Sequence, residues 1–259
     1  MNIYTGAGVA AGDVNNDGLI DLFFSGNENS CRLYINKGSM QFEDVTEKAG
    51  LITNRWCTGV SMADVNQDGF LDIYINVAGS KKFGSTANLL YINNKNGTFT
   101  QEAKKYGIAD ERLTMNASFF DYDKDGDLDM LLINHGNHFY SPFINTNKLR
   151  NSRHPQFGNR LYRNDARLPA GSLLKSSHYF TEVSQEAGIH GGGLNFSLGL
   201  SVSDINNDSW PDIYVTNDYE EQDFLYLNNK DGTFTESSKK SFGHLSRNGM
   251  GTDIADFNN

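Results

Sequence analysis

Asp13, Asn15, Asp17 and Asp21 stand at positions 1, 3, 5 and 9 of one nine-residue stretch, and the arrangement returns three more times. Asp64, Asn66, Asp68 and Asp72 make the second copy, Asp121, Asp123, Asp125 and Asp129 the third, and Asp204, Asn206, Asp208 and Asp212 the fourth. Carboxylates this crowded repel one another unless a cation lies among them. A hard cation such as Ca²⁺ takes roughly six to eight oxygens. The four side chains supply most of such a set, and the main-chain carbonyl at position 7 (Leu19, Phe70, Asp127 and Trp210) supplies one more. Neither thiol nor imidazole interrupts the set, which favours calcium over softer metals. Gly18, Gly69 and Gly126 at position 6 allow the sharp turn, whereas the fourth copy has Ser209 there and Pro211 at position 8. Three to four Ca²⁺ ions are therefore expected, the number depending on the Ser209 loop.

These are not EF-hands. An EF-hand loop closes with a bidentate Glu at position 12 and is flanked by helices. Here position 12 is Phe24, Ile75, Leu132 or Val215, inside runs such as Asp-Leu-Phe-Phe and Asp-Ile-Tyr-Ile. Those runs are short and rich in β-branched and aromatic residues, so they read as strands. No helix pair is available for a metal to open, and the ions would hold hairpins in place.

The loops start at 13, 64, 121 and 204, and Asp256-Phe-Asn-Asn begins a fifth. A second element recurs in step, as Arg32-Leu-Tyr-Ile-Asn36, Asn88-Leu-Leu-Tyr-Ile-Asn93, Arg160-Leu-Tyr-Arg-Asn164 and Phe224-Leu-Tyr-Leu-Asn228. A third strand follows around Phe42, Phe99, Phe180 and Phe234, and a small-residue strand precedes each metal loop. Each unit closes on a helix-like turn, with glycine as in Glu47-Lys-Ala-Gly50 and Gln185-Glu-Ala-Gly188. One unit thus reads strand A, metal loop, strand B, strand C, strand D, over residues 6–50, 57–108, 115–189 and 197–243, with a stub at 249–259. Four antiparallel strands in a repeat of this size are what a propeller blade needs. The expected fold is all-β: four blades of one partial β-propeller and the start of a fifth. More blades of the same polypeptide are expected beyond Asn259.

The quoted loops and Leu-Tyr-x-Asn strands resemble FG-GAP (VCBS-type) repeats, the blades of integrin-α-like propellers. More narrowly, G-V-x-x-x-D-x-N-x-D-G, L-Y-x-N-x-x-G-x-F and E-A-G-[LI] resemble proteins with ASPIC/UnbV regions, related to cartilage acidic protein, although no ASPIC/UnbV segment occurs here. The resemblance implies a seven-bladed propeller, metal at positions 1, 3, 5, 7 and 9 of each loop, and a secreted or cell-surface location.

In a meander the A–B metal loops and C–D loops share one end of the strands, and the B–C and D-to-A connections share the other. Length varies most in the third unit. Its B–C connection swells to residues 134–159, and a smaller insertion at 166–177 lies on the metal end. The larger insertion carries His135, His138, Tyr140, Arg150, Arg153 and His154, and Trp56 lies on a neighbouring D-to-A connection beside Arg55, with Tyr106 on the next. Aromatic and arginine side chains concentrate binding energy at interfaces. A protein or carbohydrate ligand is expected on this end. The alternative is a propeller enzyme, a lyase or hydrolase acting on polysaccharide, that uses the same histidines as bases. No nucleophile elbow, Walker loop or His-Glu-x-x-His supports that alternative.

The net charge of −10 is local to the loops. Without the carboxylates at positions 1, 3, 5 and 9 the rest of the chain would be slightly positive. No basic stripe suggests nucleic acid, and no apolar run reaches the ~18 residues of a membrane span. Met1–Gly6 has no apolar leader core, and an ending inside a fifth metal loop reads as the early portion of a longer polypeptide. Cys31 and Cys57 are the only cysteines. A bridge between them and two separate thiols both remain open at this point.

Overall fold

A computed structural model describes residues 6–79, 84–136, 146–150, 152–165, 179–219, 221–246 and 248–256. His138, Tyr140 and the 166–177 insertion lie outside the described residues. The chain is all-β, in four four-stranded antiparallel sheets, each a meander in chain order. The first holds β1 (Val9–Gly12), β2 (Asp21–Phe24), β3 (Arg32–Asn36) and β4 (Phe42–Asp44). The second holds β5 (Cys57–Ala63), β6 (Asp72–Val77), β7 (Leu89–Asn93) and β8 (Phe99–Gln101), followed by α1 (Ala103–Tyr106). β9 (Thr114–Phe120), β10 (Asp129–Asn134), β11 (Arg160–Asn164) and β12 (Phe180–Glu182) form the third, with α2 (Thr146–Arg150) between β10 and β11. The fourth holds β13 (Ser197–Ser203), β14 (Asp212–Asn217), β15 (Phe224–Asn228) and β16 (Phe234–Glu236), followed by α3 (Ser238–Ser241). These are the expected blades in the expected strand order. Among the described residues, no helix is long and apolar enough to cross a membrane.

The chain divides into two compact units, residues 1–117 with 165–181 and residues 118–164 with 182–259. In the first unit, β6 is buried along its whole length, as its unbroken Asp-Ile-Tyr-Ile-Asn-Val run requires of a strand covered on both faces. Phe23, Leu33, Leu51, Val60, Ile73 and Ile75 form one continuous core there. Small residues in strand A permit the neighbouring strands to approach. A Cβ on Gly59 would lie 2.4 Å from the Met115 carbonyl oxygen, a distance that real side chains do not tolerate. Main-chain bonds also cross from blade to blade: Gly8 N–H donates to Thr58 O at 2.8 Å, and Phe99 N–H donates to Ala49 O at 3.0 Å.

In the second unit, β10 is likewise buried throughout. Phe234 N–H donates to Ala187 O at 2.9 Å, which repeats the Phe99–Ala49 link one blade pair later.

Three of the four closing turns end in left-handed glycines, at Gly50 (φ 78°), Gly107 (φ 83°) and Gly188 (φ 77°). The fourth differs: α3 stops at Phe242, in extended conformation with φ −109°. A bulge between Cys57 and Val60, matched between Ser197 and Gly199, interrupts the alternation in strand A. Cys31 and Cys57 are buried free thiols, and Cys57 Sγ donates to Arg55 O at 3.5 Å.

Candidate metal loops and a polar cavity

Each A–B loop folds around its own first aspartate. In the first loop Asp13 accepts the N–H groups of Asp17 at 3.1 Å and Gly18 at 2.7 Å, and Asp17 accepts that of Leu19 at 2.9 Å. Asp64, Asp121 and Asp204 receive the equivalent pair of bonds at 2.7–3.1 Å. Making these bonds requires left-handed backbone at two places. Position 6 is Gly18, Gly69, Gly126 or Ser209, with φ of 85°, 88°, 92° and 69°. Position 4 is Asn16, Gln67, Lys124 or Asn207, with φ of 57–59°. The Ser209 loop thus adopts the backbone of the other three. Pro211 fits because position 8 contributes its carbonyl, as Ile20, Leu71 and Leu128 do.

Position 9 closes the loop. Asp21, Asp72, Asp129 and Asp212 are fully buried. Each accepts the N–H of position 2 with one oxygen, at 3.0–3.1 Å, and with the other an N–H from strand C, at 2.8–2.9 Å. The strand C donors are Asn36, Asn93, Asn164 and Asn228, the last residues of the Leu-Tyr-x-Asn elements. Their side chains brace the loop as well. Asn93 Nδ2 donates to Leu71 O at 3.1 Å and to Val14 O of the preceding blade at 2.8 Å. Asn228 Nδ2 does the same with Pro211 O at 3.2 Å and Tyr122 O at 2.9 Å. The recurrence of these asparagines was visible in the sequence, but their bracing role was not.

Burial pushes the Asp72 carboxyl up to about 7 and that of Asp129 to about 8, while Asp21 and Asp212 rise for the same reason. Raised carboxyls beside other carboxylates mark places where positive charge is wanted. In the third loop one oxygen each from Asp121, Asp123 and Asp129 lie within 4.8 Å of one another. Asp123 Oδ1 there is buried without a hydrogen-bond partner. An all-oxygen donor set with an orphaned carboxylate oxygen fits a hard cation. Loops two and four carry a lysine at the rim: Lys95 Nζ lies 3.4 Å from Asp68 and Lys230 Nζ lies 3.3 Å from Asp208.

At the opposite end of the strands, the B–C connection of the third blade meets the D-to-A connection that follows it. Together they bound an open cavity of about 410 Å³, lined by Arg150, Ser152, Arg153, Gln185 and the run Gly188–Gly191. Arg150 is anchored on both oxygens of the buried Glu221, at 2.8 and 3.1 Å. Arg153 donates to Glu182 and to Ile189 O, each at 3.1 Å. A Cβ on Gly191 would meet the Arg153 guanidinium at 3.0 Å, so the His-Gly-Gly-Gly run lets the two connections close. His190 stacks on Phe224, with centroids 5.2 Å apart.

Four of the other residues singled out for ligand binding are placed differently. His154 stacks flat on Phe157, 4.3 Å between centroids, and its N–H donates to Gly191 O at 2.6 Å. His135 is buried, bridged in β fashion to Phe196, and desolvation holds its imidazole below its usual pKa. Trp56 is also buried and packs against Gly79. Tyr106 packs at a tilt against Tyr179, with ring centroids 4.6 Å apart. Among the described residues of the expected set, only Arg150 and Arg153 line the cavity. Gln185, His190 and Glu221 were missed; the His-Gly-Gly-Gly run was the available signal.

Four-stranded blades with an aspartate loop on each A–B hairpin define a class of repeat proteins. The family model for the FG-GAP-like repeat matches residues 4–75, 77–132 and 204–259, and the chain belongs to that family. No curated protein matches it. Among solved structures the chain is similar to an Agrocybe aegerita lectin described for specific recognition of non-reducing terminal N-acetylglucosamine. The identity is 16% and the TM-score 0.47, over 96% of this chain and 54% of that one. It is also similar to the V. cholerae biofilm matrix protein Bap1, at 13% identity and a TM-score of 0.33, over 89% of this chain and 38% of that one. The chain therefore spans about half the length of the first and less of the second.

Proposed function

We propose that the chain is a calcium-held binding module, working outside the cell or at its surface, that takes a carbohydrate or protein ligand. The ligand binds at the end of the third blade away from the metal loops. The cavity of about 410 Å³ carries this reading, because it falls within the ~300–1,000 Å³ range of small-molecule sites and gathers convergent donors. Both guanidiniums are already paired with carboxylates, so the lining is polar with its charge largely compensated. Guanidinium, amide and hydroxyl donors over a stacked imidazole suit the hydroxyl-rich surface of a sugar more than a strongly anionic ligand.

Calcium would be held by positions 1, 3, 5 and 9 with the carbonyl of position 7, and its role is to neutralise the carboxylates. The chain's own residues do the rest: the strand C asparagines fix position 9, and the left-handed turns aim position 1. An oligosaccharide panel tests the binding reading, with full-length protein compared against Gln185→Ala and Arg153→Ala. Loss of at least ~10-fold in affinity, with unchanged response to calcium, is expected for both variants. Equal binding by parent and Gln185→Ala would remove the cavity from the site. Turnover of a polysaccharide by the parent would favour a lyase or hydrolase instead.

A further inference from the structure

Within each compact unit the two aspartate loops are joined through their closing residues. In the first unit, Asp21 closes the first loop and accepts the N–H of Val14 at 3.0 Å. The carbonyl of Val14 accepts Asn93 Nδ2 at 2.8 Å, and the N–H of Asn93 donates at 2.8 Å to Asp72, which closes the second loop. The second unit repeats this chain bond for bond. Tyr122 N–H donates to Asp129 at 3.1 Å, Asn228 Nδ2 to Tyr122 O at 2.9 Å, and Asn228 N–H to Asp212 at 2.8 Å. Both asparagines are buried. A second tie leaves position 4 of the earlier loop in each unit. Asn16 Nδ2 donates to Gly69 O of the second loop at 2.8 Å, and the Lys124 ammonium lies 4.7 Å from the ring centroid of Trp210 in the fourth.

Two carboxylates that serve separate loops thus stand at the ends of one chain of buried hydrogen bonds. Members of such a network are restrained and polarised together. Fixing one end lowers the ordering cost at the other, which gives positive cooperativity with no change of fold. We propose that the loops take calcium as cooperative pairs, the first with the second and the third with the fourth, and that Asn93 and Asn228 carry the coupling. This rests on the calcium reading of the loops and adds a regulation to it. Each pair fills over a narrower range of calcium than two separate sites, so the module meets its ligand either held or unheld.

The second pair supplies its own reporter. Trp210 belongs to the fourth loop and touches Lys124 of the third, so its ring sensitises Tb³⁺ held by either. The signal read on the full chain is the tryptophan-excited Tb³⁺ emission that Trp210→Phe abolishes. Asp123→Ala with Asp125→Ala leaves the fourth loop to titrate alone, and Asn206→Ala with Asp208→Ala leaves the third. None of these four side chains belongs to a buried residue, so the coupling is measured even where a core variant lowers stability. Fitting the parent curve with the two single-loop constants is expected to require a coupling factor of at least ~5. Asn228→Ala is expected to bring that factor close to one, and Lys124→Gln to lower it in part. A parent curve equal to the sum of the single-loop curves overturns the coupling and leaves the calcium reading standing. A factor that Asn228→Ala leaves unchanged overturns the part given to the asparagine. No sensitised emission from the parent, together with no calcium taken up in equilibrium dialysis, removes the calcium reading and the coupling with it.

Discussion

Asp72 and Asp129 show at the scale of single residues what the aspartate loops cost without a cation. Burial lifts their carboxyls to about 7 and about 8. A group whose pKa is higher folded than unfolded stabilises the fold below the unfolded value of ~4 and loses that contribution as pH rises through the folded value. The metal-free protein should therefore lose stability progressively from about pH 4 to about pH 8, and calcium should abolish most of the loss by favouring the ionised form. Melting temperature against pH, in chelator and in calcium, checks this; a profile in chelator that is flat or rising speaks against it. Asn93 makes a second case. Its amide joins Leu71 O to Val14 O, and its N–H serves Asp72. Asn93→Ala leaves two buried carbonyls short of a donor and should cost about 2 kcal/mol in urea unfolding. The aspartates were legible because carboxylates crowded at a fixed spacing repel one another until a cation joins them. The asparagine's role was not, because Val14 lies 79 residues away in sequence.

At the scale of elements, the four A–B loops share one backbone despite different sequences. Ser209 holds φ of 69° where its counterparts are glycine, a conformation that costs a non-glycine residue roughly 1 kcal/mol. Ser209→Gly should recover about that much in denaturant unfolding and tighten metal at the fourth loop. No gain would mean that the serine side chain compensates. The rim lysines set a further difference between loops. Lys95 faces Asp68 across 3.4 Å, so it competes with an ion for the same carboxylate. Lys95→Met should raise calcium affinity at the second loop by roughly threefold at low salt, and less at high salt. Strand boundaries were legible where alternation was unbroken, as in Asp72–Val77. Alternation alone does not give the start of strand A near Cys57 and Ser197, where a bulge spoils the two-residue period.

At the scale of the whole molecule, repetition made the fold readable: motifs returning in step fixed the blade count and the strand order. The proposed binding end was less readable, for a physical reason. Residue type says what a side chain is able to do, while neighbours distant in sequence decide whether it meets solvent. Trp56 and His135 have the right chemistry and are buried, whereas His190 and Gln185 reach the cavity from a short connection marked only by its His-Gly-Gly-Gly run. The proposed calcium ties these levels together, since ions that bind only the folded chain must stabilise it. At about 100 times the dissociation constant each filled site contributes about 2.7 kcal/mol, and a chain of this size shifts by roughly 2–4 °C per kcal/mol. The most direct measurement is the melting temperature of the full chain with chelator and with millimolar calcium. Three or four filled loops predict a rise of at least ~10 °C, reversed by chelator. An unchanged melting temperature would contradict the calcium-held module.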